Sequence, residues 1–283
     1  MKLIVKSGSS KTEWTIVEGR HLIDSAISEG INPFFQNRRD ISRSIRLGLP
    51  AGFFKKKLEQ IYFYGAGCSS EEKKNVLQAS LIAQFHTPTE VESDLLAAAR
   101  GLFIDRSGIA CILGTGSNSC LYDGEKIVTN VKAAGYILGD EGSFAALGKS
   151  FLSDVLKEIA PGEIADRFYR ENRLDSHIIM ENIYDLPFPH RFLMKAADFL
   201  DGHITNDYVH TLITQNIRNF FIRNVCRYEY KKYPIRFVGK MAVRYADILK
   251  NVAREFDITI DRIQESPMKG LIEYHAGKTV LPL

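Results

Sequence analysis

Strand-like apolar runs dominate the first third of the chain, and helical periodicity dominates the last. Residues 2–6 and 13–18 are apolar runs on either side of the polar turn SGSSK, and they read as a hairpin. HLIDSAISEG continues that sheet. NRRDISRSIRLGL and GFFKKKLEQ read as helices, and IYFYGAG is an apolar strand ending in glycine turns. SSEEKKNVLQASLIAQF predicts a helix, with Ser69 or Ser70 at its N-cap and Glu71 and Glu72 in the first turn, where carboxylates oppose the helix dipole. PTEVESDLLAAARGLF predicts a short strand running into a helix. Helices follow over roughly 143–158, 161–171, 174–184, 189–201 and 206–229. In the last of these Ile213, Ile217, Phe220, Phe221 and Val225 recur at helical spacing and read as core. PIRFVGKMA then predicts a strand ending at Gly239, YADILKNVAREF a helix, and PMKGLIEYHAG a short closing helix.

One stretch, IACILGTGSNSCLYDGEKIVTN, can be laid on the opening segment. Val5-Lys6-Ser7-Gly8-Ser9-Ser10 matches Leu113-Gly114-Thr115-Gly116-Ser117-Asn118. Each follows an apolar strand and precedes a second strand and a further turn, Glu18-Gly19 or Asp123-Gly124. Gly and Ser are common in turns, so either match alone is weak. Together they point to an internal duplication, with two similar halves.

Length and composition narrow the picture only a little. A chain of 283 residues can form one large or two ordinary domains, and 45% hydrophobic with 25% charged residues is globular. No low-complexity linker marks a boundary. A hinge near Arg106 to Gly108 divides the chain into 1–107, to which the closing C-terminal helix can return, and 108–283, which carries the helical insertions. The net charge of +3 argues against nucleic acid or an anionic membrane as the main partner. Cys68, Cys111, Cys120 and Cys226 form no C-x-x-C pair and read as reduced thiols of a cytoplasmic protein. The apolar run at the N-terminus is too short for a signal peptide, and no run approaches the roughly 20 residues that span a bilayer.

The two Gly/Ser turns are the first candidates for chemistry. Glycine lets backbone N–H groups approach phosphate oxygens closely. Ser9, Ser10, Thr115 and Ser117 add hydroxyl donors, while Lys11 either adds charge or points to solvent. Gly114 and Gly116 frame the second turn. Asp94 stands where a strand meets a helix, as either a helix N-cap or a general base for a substrate hydroxyl. In GYILGDEGS, Asp140 and Glu141 lie between Gly139 and Gly142; they bind sugar hydroxyls, contact a hydrated metal, or cap the next helix.

SGSSKTEW, GINPF, YFYGAGC, SDLLAAAR, CILGTGSNSCLYDG, GYILGDEGS and SPMKGLIEYH occur in the order seen in bacterial proteins resembling N-acetylglucosamine kinases. These belong to the BadF/BadG/BcrA/BcrD ATPase-like group of the actin–hexokinase superfamily, and the resemblance covers nearly the whole chain. It implies an α/β fold of two RNase H-like (actin/hexokinase-type) domains with a central cleft. It also implies binding of ATP and a sugar, and members that tend to pair as homodimers. By motif matching, Ser10 and Thr115 contact phosphate. Asn32, Ser117 and Asp140 hold the sugar, with backbone from Ala133 to Gly135. Asp94 is the base acting on the sugar 6-hydroxyl, and Gly239 and the turn from Met268 to Gly270 flank the adenosine.

Three residues depart from the family pattern. AAGY lacks a Trp that some related kinases place before the equivalent of Gly135, and Glu13 stands for an Asp before Trp14. Lys6 is the largest departure. It occupies the place of an Asp that the resemblance associates with Mg2+ on the ATP phosphates. A lysine about 5 Å from a divalent ion, at an effective dielectric near 20, is repelled by roughly 6–7 kcal/mol before phosphate and solvent offset it. Even a residual of about 3 kcal/mol is about a hundredfold in rate or affinity. Lys6 then partly replaces the ion, or leaves a protein that binds nucleotide or sugar without turnover, or is a solvent-facing strand end.

Overall fold

The computed structural model describes residues 1–8 and 10–277. Its strands are β1 (Lys2–Ser7), β2 (Lys11–Glu18), β3 (His21–Glu29), β4 (Gln60–Gly65), β5 (Thr89–Ser93), β6 (Gly108–Leu113), β7 (Ser117–Tyr122), β8 (Ile127–Val131), β9 (Ile235–Val238) and β10 (Ile260–Gln264). Its α-helices are α1 (Arg38–Gly48), α2 (Glu71–Phe85), α3 (Asp94–Phe103), α4 (Gly135–Leu138), α5 (Phe144–Leu156) and α6 (Gly162–Asn172). They continue with α7 (Ser176–Tyr184), α8 (Pro189–Phe199), α9 (Asp207–Arg223), α10 (Lys240–Arg244), α11 (Ala246–Arg254) and α12 (Met268–Ala276).

Two five-stranded sheets have the same plan. The first runs β3-β2-β1-β4-β5, and the second, from its far edge, β8-β7-β6-β9-β10. In the first, β2 is antiparallel to β1 and β3, while β1, β4 and β5 are parallel. In the second, β6, β9 and β10 are parallel. A three-stranded meander followed by two crossover strands, repeated in one order, is the duplication seen in the two Gly/Ser turns. The chain forms two compact units. One comprises Met1–Gly108, Tyr122–Val128 and the segment from Ser266; the other comprises Ile109–Leu121 and Thr129–Glu265.

In the first unit, strand alternation sends successive side chains to opposite faces. Leu3 and Val5 of β1 join Trp14, Ile61 and Phe63 in a core with Ile41 and Ile45 of α1 and Leu77 and Leu81 of α2. Ile4 joins Tyr62, Tyr64, Ala97 of α3 and Leu271 of α12 on the other face. Lys6 is two residues beyond Ile4 and pairs with Tyr64, so it shares the face covered by α3 and α12. In the second unit, Ile109, Cys111 and Leu113 of β6 pack with Phe144 and Leu147 of α5 and with Ile213, Ile217 and Phe220 of α9.

Two predicted elements differ. GFFKKKLEQ forms only a single turn of 3-10 helix, Phe53–Lys55. Phe53 is its one buried side chain, too little apolar surface to hold a longer helix. The helix predicted over 206–229 ends at Arg223, and buried Val225 opens a separate 3-10 turn. No described helix is long and apolar enough to cross a membrane.

Candidate active site

The hairpin of the first unit is closed by Gly8 N–H donating to Lys11 C=O at 2.9 Å. Ser9 lies outside the described residues. Ser10 is exposed at the turn. Lys11 forms an ion pair with Glu13 at 2.9 Å. The buried Ser7 hydroxyl meets Thr12 Oγ1 at 2.7 Å, donates to Ile31 C=O and accepts from Ile31 N–H. This fixes the hairpin to the loop carrying Asn32. Asn32 Oδ1 accepts from Phe34 N–H at 2.9 Å, and its backbone N–H donates to Gln36. A Cβ at Gly67 would lie 2.0 Å from that same Oδ1, so only glycine leaves Asn32 its place.

β1, β4 and β5 align Ser7 with Gly65 and Gly65 with Ser93. Asp94, the next residue, therefore starts α3 at the same end of the sheet as Lys6 and the Gly/Ser turn, two strands across, about 10 Å between backbones. Ser93, not Asp94, caps α3 by accepting from Leu96 N–H at 3.2 Å. Desolvation raises the Asp94 carboxyl above the usual range, opposed by the charge of Lys6 and by backbone N–H donors at residues 94 and 95. Cys68 is pushed up to about 12, first by burial and then by the charge of Asp94, so it stays an unreactive thiol.

Glu13 faces Lys6 across the β1–β2 pair. Burial works against its ionisation, but the Ser266 hydroxyl, Lys11 and Lys6 outweigh it and hold the carboxyl below its ordinary value. Ser266 donates to Glu13 at 2.6 Å and accepts from Met268 N–H at 3.3 Å. One carboxylate thus connects the hairpin to the start of α12 and to Met268.

The second unit builds its turn around α5. Gly114 N–H donates to Gly116 C=O at 2.9 Å. The carbonyls of Gly114 and Thr115 accept from Phe144 and Ala145 N–H at the start of α5. Thr115 Oγ1 meets Met194 Sδ at 3.4 Å. Gly239 has φ +127, and a Cβ there would lie 2.2 Å from Leu113 C=O and 3.4 Å from Gly114 N. Gly239 thus sits directly against the second turn, where no larger residue fits.

Asp140 does not cap α5; Ser143 does, accepting from Ala146 N–H. Asp140 is only 8% exposed and has φ +58. Its Oδ1 accepts from Ser117 N–H at 3.2 Å. Its own N–H donates to Ala133 C=O at 3.0 Å, which brings Ser117, Asp140 and the segment from Ala133 to Gly135 together. Glu141 pairs instead with Arg223 at 3.4 Å. Sequence reasoning missed Asn216. Only 7% exposed, it accepts from Gly142 N–H at 3.0 Å and donates to Ser143 C=O at 3.1 Å, clamping the Asp140 loop. The available signal was a polar residue next to Ile217 on an otherwise apolar helix face.

Repeated sheets, each with a Gly/Ser turn after its first strand, define an actin/hexokinase-type α/β protein. The comparisons agree. A protein of Porphyromonas gingivalis, provisionally named an N-acetylglucosamine kinase, matches with a TM-score of 0.95 at 40% identity, over 99% of this chain and 100% of that one. A similarly named protein of Chromobacterium violaceum matches at 0.75 and 16% identity, covering 96% and 98%. A ROK-family glucokinase of Streptomyces griseus, solved with glucose and AMPPNP, matches at 0.56 and 13% identity, covering 96% and 97%. These last two bear on the fold alone. No family model and no curated protein matches the chain. The chain belongs to the N-acetylglucosamine kinase-like family and has an actin/hexokinase-type fold.

Proposed function

We propose that this protein uses ATP to phosphorylate a sugar hydroxyl, with the 6-hydroxyl of N-acetylglucosamine the leading acceptor and Asp94 the general base. The observation that carries the reading is the placement of Asp94. It shares a sheet end with the Gly/Ser turn, is spared capping duty by Ser93, and has a carboxyl raised by desolvation towards the range useful for taking a proton. In this reading Ser10 and Thr115 meet phosphate, Gly239 and Met268 flank the adenosine, and Asn32, Ser117 and Asp140 receive the sugar. Asp94 accepts the proton of the attacking hydroxyl as its oxygen bonds to the γ-phosphorus and ADP leaves. The name of the Porphyromonas protein supports N-acetylglucosamine as the acceptor.

A coupled ADP-release assay over a panel of amino sugars tests this. Release should depend on the sugar and be greatest with N-acetylglucosamine; a pure preparation releasing no ADP with any sugar, with Mg2+ or Mn2+, would refute it. Lys6 favours a second reading, a protein that binds nucleotide and sugar without turnover. Calorimetric binding without ADP release, and turnover gained by Lys6→Asp, would select that reading.

A further inference from the structure

An ion accompanying nucleotide phosphates is usually held by one or two carboxylates together with the phosphates themselves. The end of β1 carries an ammonium instead. A Cβ at Gly8 would lie 3.3 Å from Lys6 Nζ, so that charge sits against Gly8, where the Gly/Ser turn begins. The two nearby carboxylates differ. Glu13 is held by Lys11 and Ser266, and Asp94 stands in the field of Lys6. Lys6 has no ion-pair partner within 4.0 Å among the described residues, which leaves its charge for a ligand. These groups do not fit Mg2+: a second cation at the end of β1 would be repelled by Lys6, and Glu13, the carboxylate facing it, is already held by Lys11 and Ser266.

We propose, resting on the kinase reading for the identity of the anion, that Lys6 is itself the cation for the nucleotide phosphates, so that this chain binds ADP and ATP without Mg2+. An ammonium offers three donors and a compact charge. The same ammonium helps keep Asp94 ionised beside the anion.

Calorimetric titration with ADP, in EDTA and again in excess Mg2+, tests this without any turnover. The wild-type protein should bind in EDTA at least as tightly as in Mg2+. Lys6→Ala should lose about 10- to 100-fold in EDTA, as for loss of a charge-assisted hydrogen bond. Lys6→Arg should stay within a few-fold, and Lys6→Asp should become dependent on Mg2+. Wild-type binding that requires Mg2+, or Lys6→Ala binding as tightly as wild type in EDTA, overturns the proposal and leaves the kinase reading standing. Failure of the wild-type protein to bind ADP under either condition overturns both. If a variant fails to fold, the wild-type pair of titrations still decides.

Discussion

Asp140 accepts a hydrogen bond from the backbone N–H of Ser117 at 3.2 Å, which joins the GDEGS loop to the second Gly/Ser turn. The carboxylate is held at φ +58, a left-handed conformation that Asn and Asp tolerate better than other non-glycine residues. Asp140→Asn should therefore keep the backbone and the Ser117 contact while removing the charge. Its KM for the sugar should rise about 10- to 100-fold, matching a lost charged hydrogen bond. Steady-state kinetics with the sugar varied at saturating ATP checks this.

Asn216 reaches the same loop from α9. Asn216→Leu strands the buried Gly142 N–H, worth about 1–3 kcal/mol when unsatisfied, and takes one of two donors from Ser143 C=O, which keeps Leu147 N–H. Both stability in a urea titration and sugar affinity should fall, and the sugar affinity should fall more than the affinity for ADP.

The duplication, the hairpins and most helices were legible in the sequence because each depends on local pattern: apolar alternation, Gly/Ser turns and N-cap residues. The short 3-10 turn at Phe53 and the stop at Arg223 were not, because tertiary burial rather than propensity sets those lengths. For the site, Asp94 and Asp140 were visible as carboxylates at helix starts, but spacing alone left capping open. Only the positions of Ser93 and Ser143 released them from that duty. Ser266 as the partner of Glu13 was out of reach, since 253 residues separate them in sequence.

Asp94 carries a stability prediction with its sign. Its carboxyl is raised in the folded chain, so the native state holds the proton more tightly than the unfolded one. Stability from this group is fully present below the unfolded value and falls as pH rises through the folded value. Asp94→Asn should thus melt higher than wild type at neutral pH, with the gain vanishing in acid, while turnover drops about 100- to 10,000-fold. Thermal melts across pH, beside the ADP-release assay, read both effects.

Lys6→Ala removes the charge that favours ionised Asp94, so the carboxyl should rise further. Because a general base acts deprotonated, the acidic limb of kcat against pH should move to higher pH. An unmoved limb would separate Lys6 from Asp94.

The central claim is transfer of phosphate to a sugar hydroxyl. Phosphorus and carbon NMR of a reaction with N-acetylglucosamine and ATP tests it directly. The account predicts ADP together with one new phosphomonoester at carbon 6, absent when Asp94 is replaced by Asn. Inorganic phosphate as the sole product, or no change in the ATP signals, would contradict it.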